Sequence, residues 1–153
     1  MSTVLHPAEA GYTEWSGLLS REPSYIIQCD FSYMIGNEMF RQFVLPTLRR
    51  DVAWLENAIY HLDGVGEMNH LDTILELEKL RAVQWVFGDG KPGPTHWLDV
   101  YRKIRNAGKR MMVLGRPGEV LETIRVLGGT GMYCKFTLDA GDKDLAEALL
   151  AAR

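Results

Sequence analysis

Five short apolar segments, each followed by a segment of helical pattern, constrain the fold of this chain most strongly. The apolar segments cover residues 25–28, 58–62, 82–87, 110–114 and 131–136, and each is as long as a strand and rich in β-branched or aromatic residues or Met. Their centres lie roughly 20 to 35 residues apart, which is enough chain for a right-handed crossover between parallel strands. The pattern therefore predicts a parallel α/β sheet of about five β-α units.

The segments between the strands carry apolar residues at a period near 3.6, which predicts helices. These segments are residues 38–57, 70–79, 95–107, 117–127 and 142–152. Pro46 is expected to kink or restart the first helix, and Gly108 to end the third. Residues 1–22 are predicted to be an irregular lead-in with a short helix near residues 12–19, and residues 23–153 a single domain.

Two architectures fit repeated β-α units. One is an open doubly wound sheet and the other is part of a (βα)₈ barrel, and periodicity alone does not separate them. In both architectures the functional side chains lie just past the carboxyl ends of the strands. Candidate site residues are therefore expected just after the five strands.

Charge and hydropathy exclude several classes of protein. The formal net charge is −3 and no run of basic residues is longer than two, so nothing predicts binding of nucleic acid by charge. No window approaches the roughly 18 apolar residues of a membrane span, and the first residues lack the pattern of a signal peptide. A cytoplasmic protein without membrane association is expected. Its two cysteines, Cys29 and Cys134, cannot form a disulfide framework.

Polar side chains follow each of the five predicted strands. Because parallel strands direct their carboxyl ends to one edge, these residues are candidates for a common site. They are Asp30 after the first strand, His61 and Asp63 after the second, Asp89 and Lys91 after the third, Arg116 after the fourth, and Lys135 after the fifth, with Cys134 just inside that last end.

The segment His61-Leu62-Asp63-Gly64 is the most informative of these. His and Asp two residues apart in a strand point the same way, and they can hold one divalent metal or share one proton. With Cys134 they would form a zinc site with an open fourth position. The alternative is structural: His61 bonds a backbone carbonyl, Asp63 caps the turn, and Cys134 is a core thiol.

The glycine- and proline-rich loop of residues 88–94 offers a second candidate. Its backbone N–H groups and Lys91 would suit an anion, and a plain connection is the alternative. The spacing is not that of a Walker A loop.

Residues 29–50 and 60–109 resemble the C-terminal half of proteins in the uroporphyrinogen decarboxylase superfamily, which also contains cobalamin-dependent methyltransferases. The resemblance rests on the HLDG motif, the following QWV strand and the glycine-rich loop. It implies a (βα)₈ barrel with its site at the carboxyl ends of the strands. The chain is therefore expected to be part of such a barrel.

The resemblance also implies a function. His61 lies on the histidine that binds zinc in the thiol methyltransferases of the superfamily, with Asp63 in place of the first cysteine ligand and Cys134 as counterpart of the second. Metal-assisted methyl transfer between a corrinoid and an acceptor is the leading prediction, with His61 and Asp63 as catalytic residues. Residues predicted to contact the substrate are Asp30, Trp85, Asp89, Lys91 and Arg116. The alternatives are a tetrapyrrole decarboxylase relative, for which Arg116 is the one arginine plainly at the mouth, and a non-catalytic or truncated ligand-binding half-barrel.

The length of the chain adds an expectation about partners. A complete barrel needs about 250 residues, whereas 153 residues supply five β-α units. A half-barrel leaves strand edges and one apolar face open. The chain is therefore expected to form a homodimer or to pair with a separate chain that supplies the N-terminal half of the barrel.

Overall fold

The computed structural model describes residues 10–152, and its central element is a five-stranded parallel sheet. A short antiparallel hairpin of β1 (Tyr12–Thr13) and β2 (Leu19–Ser20) precedes it. The sheet strands are β3 (Ser24–Ile27), β4 (Asn57–Asp63), β5 (Leu80–Val86), β6 (Arg110–Leu114) and β7 (Met132–Lys135). They lie side by side in chain order. The five strands predicted from the apolar segments are thereby confirmed.

Helices connect the strands. They are α1 (Asn37–Met39), α2 (Leu45–Trp54), α3 (Leu71–Leu75), α4 (Leu98–Asn106), α5 (Pro117–Leu127) and α6 (Lys143–Ala151). A π-helical turn (Phe40–Val44) joins α1 to α2, and 3₁₀ turns cover Asp30–Met34, Glu67–His70 and Pro94–Trp97. Within the described residues, no helix is long and apolar enough to cross a membrane.

The structure confirms one prediction about the helices and corrects another. Pro46 restarts the first helix as predicted: it lies in the first turn of α2, directly after the π-helical turn, and a proline has no N–H to continue the preceding hydrogen-bond ladder. The helix predicted near residues 12–19 is wrong. That segment forms the β1–β2 hairpin, in which Gly17 adopts a positive φ of 84° that a helix does not allow. Residues 1–9 of the predicted lead-in lie outside the described residues.

The two faces of the sheet differ in how they are covered. On one face, strand residues such as Tyr60, Leu62 and Trp85 pack against the helices and form the main core. The other face, here called the inner face, carries a smaller cluster of Ile26, Ile59 and Met112 that is packed with Leu18 from the hairpin segment. Sequential strands with helices on one face are the arrangement of part of a (βα)₈ barrel. No closed barrel forms from residues 10–152, because β3 and β7 lie at the two edges.

Strand register arranges the inner face in rows. The amino-end row contains Ile26, Ile59, Ala82 and Arg110, which are paired across neighbouring strands. The middle row, one step nearer the carboxyl ends, contains His61, Gln84, Met112 and Tyr133. Asp63 of β4 and Lys135 of β7 lie one step further along their strands. This register places His61 and Asp63 on the same face, as their spacing predicts.

Candidate active site at the carboxyl ends of the strands

The imidazole of His61 is oriented by its neighbours in the middle row. Its Nδ1 lies 2.5 Å from Oε1 of Gln84. The amide Nε2 of Gln84 lies 3.0 Å from the sulfur of Met112, which can only accept a hydrogen bond, so Oε1 is the atom that faces His61. Because an amide oxygen only accepts, Nδ1 of His61 carries the proton and donates it. The neutral imidazole therefore has its lone pair on Nε2.

The Nε2 atom of His61 faces the carboxylate of Asp63. The distance from Nε2 to Oδ2 is 3.8 Å. In the neutral imidazole both atoms are acceptors, so a proton or cation placed between them is favoured electrostatically. The His61 side chain is 12% exposed and that of Asp63 is 49% exposed, so the pair lies where the sheet meets solvent. The pair is arranged to accept a proton at Nε2.

Trp15 covers the His61 imidazole from the inner face. The two rings lie 4.9 Å apart between centroids and are tilted by 54°. The backbone carbonyl of Trp15 accepts a hydrogen bond from Nζ of Lys135 at 3.3 Å, and the Tyr133 hydroxyl donates to the carbonyl of Ser16 at 3.0 Å. We call residues 12–20, with Trp15 at their tip, the cap. Strand β7 holds the cap over the middle row.

Glu67 holds the backbone of Asp63 in place through a hydrogen bond. Its carboxylate is almost fully buried, at 1% exposure. Oε2 accepts a hydrogen bond from the backbone N–H of Asp63 at 2.9 Å, and Oε1 accepts one from the Ser32 hydroxyl at 2.8 Å. Burial raises the pKa of Glu67, while these two hydrogen bonds act in the opposite direction. Glu67 thus ties the chain after β3 to the end of β4.

A second buried histidine continues this polar network. Nε2 of His70 donates to the carbonyl of Ser32 at 2.9 Å, and its ring stacks on Phe40 with 4.3 Å between centroids. Thr73 donates from its hydroxyl to Oδ1 of Asn37 at 2.9 Å. Because His70 is fully buried, its role is to position the turns around the site.

Two of the predicted site residues lie on the helix face of the sheet instead. Trp85 is fully buried and packs edge-on against Trp97 at 5.3 Å. Cys134 packs against the main core, and burial raises the pKa of its thiol. Since strand residues alternate between faces, Cys134 lies opposite Tyr133 and Lys135, and the sheet separates it from His61.

The remaining predicted residues form an exposed rim. Asp30, Asp89, Lys91 and Arg116 lie after β3, β5 and β6 and are all exposed. Asp89 accepts a hydrogen bond from the N–H of Gly90 at 3.0 Å, as in an ordinary turn. Among residues 10–152, no hydrogen bond or ion pair joins any of these four to His61 or Asp63. They surround the pair without contacting it.

The positions of His61, Asp63 and Cys134 decide whether the predicted zinc site can form. His61 and Asp63 lie close enough to share a cation, but the third predicted ligand, Cys134, is on the other face. In the part of the chain that the structure describes, no three His, Cys, Asp or Glu side chains form a group able to hold a metal ion. The three-ligand set therefore does not fit this arrangement.

An apolar rim borders the pair on the β3 side. Phe31, Tyr33 and Met34 are more than half exposed, and Val65 is partly exposed beside them in sequence after β4. The Tyr33 ring lies so close to Gly66 that a Cβ there would collide with it. These side chains give the carboxyl edge a surface that suits the flat face of an organic ligand.

Sequence reasoning missed three residues of the site: Trp15, Glu67 and Gln84. Gln84 alone leaves a sequence signal, because it is a polar residue inside an apolar strand. Trp15 and Glu67 reach the site through contacts that no local pattern reveals. Comparison with known proteins adds nothing to this assignment, since no protein-family model, curated protein or solved structure matches the chain.

Proposed function

We propose that the chain is a half-barrel of the uroporphyrinogen decarboxylase type that takes part in methyl transfer from a corrinoid to an acceptor, with His61 as the general base. The observation that carries this proposal is the oriented imidazole. Gln84 fixes the proton on Nδ1, and the lone pair of Nε2 faces the open carboxyl edge beside Asp63. Imidazole is the side chain best suited to exchange protons near neutral pH.

The proposed step assigns one role to each residue. As the acceptor attacks the methyl carbon, its proton passes to Nε2 of His61, and Asp63 stabilises the resulting imidazolium. Gln84 keeps the ring in place throughout. The corrinoid supplies the methyl group, and the bond between cobalt and carbon breaks with its electron pair remaining on cobalt. This scheme uses no metal bound to the protein.

The apolar rim supports a large planar ligand. Phe31, Tyr33 and Met34 are exposed in the 3₁₀ turn after β3, and the Tyr33 ring lies near Gly64 and Gly66, directly after Asp63. Side chains of this kind favour stacking and burial against the face of a macrocycle. A corrinoid held there would lie at the same edge of the sheet as Nε2 of His61, where it would supply the methyl group.

A non-catalytic ligand-binding role is the second candidate. The observation that favours it is the position of Trp15, which covers the imidazole and is held by Lys135. A histidine enclosed in this way is suited to contact a bound ligand. If His61 is catalytic, its substitution lowers turnover. If His61 only contacts a bound ligand, its substitution changes affinity alone.

The test follows methyl transfer from methylcobalamin to a panel of thiol, amine and phenol acceptors, read by the absorbance of the demethylated corrinoid. We expect His61→Gln to lower the rate by about 10²- to 10⁴-fold, the usual contribution of a general base. The matched control is His96→Gln, which changes an exposed histidine in the 3₁₀ turn after β5. Binding of methylcobalamin without turnover would favour the second candidate, and full activity of His61→Gln would contradict the proposed base.

Treatment with a chelator separates this scheme from a zinc-dependent one. We expect an unchanged rate after removal of divalent metals, because in the proposed step the imidazole of His61, and not a metal ion, takes the proton of the acceptor, and the described residues contain no group of three metal-ligating side chains. Loss of activity that added zinc restores would show that metal, rather than the imidazole, activates the acceptor.

A further inference from the structure

A second cleft lies on the inner face at the amino ends of the strands. It encloses about 520 Å³, within the usual range of sites for small molecules. Its lining includes Leu18, Ile59, Ala82, Arg110, Met112 and Tyr133. None of these belongs to the His61–Asp63 pair, which lies toward the opposite ends of the strands. The cleft is therefore a second candidate site, which shares only Met112 and Tyr133 with the middle row.

Arg110 is the cation that faces this cleft. It belongs to the amino-end row, in register with Ala82, so its side chain starts on the inner face. Arg110 is exposed, and within residues 10–152 its guanidinium makes no side-chain hydrogen bond or ion pair. Arg81 also lines the cleft, but its Nε donates to the carbonyl of Glu56 at 3.2 Å. Arg110 is thus the unpaired guanidinium of the cleft.

The floor of the cleft is apolar. Ile59 is 5% exposed and Met112 is 1% exposed, and Leu18 of the cap packs against the same cluster. An apolar surface beside one guanidinium suits a ligand with an apolar body and a single anionic group. A guanidinium offers parallel N–H donors that match a carboxylate.

The charges beside Arg110 are balanced. Arg110 also borders a neighbouring cleft whose lining contains three carboxylates, Glu22, Glu56 and Glu78, and two further cations, Arg81 and Lys109. The choice of a carboxylate ligand therefore rests on the guanidinium of Arg110 and on the apolar floor beside it.

We propose that this cleft binds a small amphipathic carboxylic acid, with its carboxylate on Arg110 and its hydrocarbon part against Ile59 and Met112. Tyr133 closes the side of the cleft nearest the cap, where its hydroxyl is already bonded to Ser16. The ligand lies along the amino-end row and reaches Met112 of the middle row, whose sulfur accepts the hydrogen bond from Gln84. Neither His61 nor Asp63 lines the cleft.

Calorimetric titration with octanoate tests the charge. We expect Arg110→Met to weaken binding about 10- to 100-fold, the effect of losing a charge-assisted hydrogen-bond pair. Arg81→Met is the matched control and should change affinity far less. Octanol, which has the same chain without the charge, should bind more weakly than octanoate. Absence of octanoate binding up to about 10 mM, or equal binding by Arg110→Met, would overturn the proposal.

A second measurement locates the bound ligand in the unmodified chain, so its result does not depend on whether a variant folds. In the unmodified chain, the methyl resonance of Met112 should shift on addition of octanoate, while that of Met39, on α1, should not. A shift of neither methyl group during saturable binding would place the ligand elsewhere and overturn the assignment. His61→Gln should bind octanoate as the unmodified chain does, so failure of the proposed methyl transfer would leave this result unchanged.

Discussion

At the scale of single residues, Glu67 combines burial with hydrogen bonds that favour its ionised form. Burial dominates, so the pKa in the folded chain lies above its ordinary value of 4.5. A raised pKa in the folded state means that folding favours the protonated carboxyl. The contribution of this group to stability is therefore fully present below about pH 4.5 and is lost as the pH rises through the folded-state pKa.

Glu67→Gln tests this linkage. The Gln amide oxygen can accept from the N–H of Asp63 while its NH₂ donates to the Ser32 hydroxyl, so both hydrogen bonds are kept without a buried charge. We expect the free energy of unfolding of the variant to rise relative to the unmodified chain as the pH increases from 4.5 to neutrality. Denaturant titrations at both pH values measure the difference. Glu67→Ala, which loses both bonds, should cost about 1–3 kcal/mol at either pH.

Gln84 controls which nitrogen of His61 carries the proton. In the unmodified chain above neutral pH, ¹⁵N chemical shifts should show the proton on Nδ1, since Gln84 offers an acceptor there. In Gln84→Met the acceptor is gone, and the ring should shift toward a proton on Nε2, the commoner state of a free imidazole. His96, which is exposed and remote from this contact, provides the reference signal. An Nε2 proton already present in the unmodified chain would contradict the assigned tautomer.

The sequence allows the His61–Asp63 pair to be predicted because alternation along one strand is a local property. It does not reveal the register between strands, which decides whether Gln84 or Trp85 shares a face with His61. The end of its strand predicts Trp85 at the mouth, yet Trp85 packs into the helix core. Position at a strand end, together with the resemblance, likewise predicts Cys134 as a ligand, yet Cys134 packs against the main core. Position along the chain predicts the edge that a residue reaches, but pairing decides its face.

At the scale of elements, the cap differs from every other part of the described fold. The sheet and the five helices α2 to α6 follow from local periodicity, and α5 has the predicted bounds, residues 117–127. The cap has no such pattern. Its hydrogen bonds join Ser16 to Tyr133 and Trp15 to Lys135, which are 117 and 120 residues away along the chain. The hairpin itself is local, but its position over the sheet is set by these long-range contacts, which a sequence window does not reveal.

The cap should regulate access to His61. We expect Trp15→Ala to increase the rate at which diethyl pyrocarbonate modifies His61 several-fold, because the indole covers the imidazole at 4.9 Å. Peptide mass spectrometry measures the rate at each histidine. His96 is the internal exposed standard and His70 the buried one.

Trp54→Ala is the matched control for the cap, since Trp54 is an exposed tryptophan at the end of α2. It should leave the modification rate of His61 unchanged. If both variants behaved like the unmodified chain, Trp15 would not limit access to the site.

At the scale of the whole molecule, the described sheet has two edge strands and an inner face covered only in part. Among residues 10–152, strand β3 pairs with β4 alone and β7 with β6 alone, so each leaves one side free for pairing with another chain. Tyr25 of β3 is 58% exposed on this edge. These features support the expectation of a homodimer or a complementary half-barrel chain.

Light scattering during gel filtration tests association. We expect the chain to form a dimer at micromolar concentration and Tyr25→Lys to shift it toward monomer, because a charge on an edge strand opposes pairing. Trp54→Lys places the same charge on an exposed helix position and should have no effect. A stable monomer of the unmodified chain, with unchanged secondary structure, would contradict self-association and leave the complementary chain as the partner to seek.

The order of the strands has a consequence for biosynthesis. Each strand of the sheet pairs with the strand made just before it, so the sheet can grow one unit at a time as the chain leaves the ribosome. The cap is the exception, since Trp15 must wait for Lys135, 120 residues later. At ordinary rates of translation this delay is on the order of ten seconds. During that interval the nascent inner face is open to other molecules, which makes it a surface that a chaperone or an assembling partner meets before the cap can close.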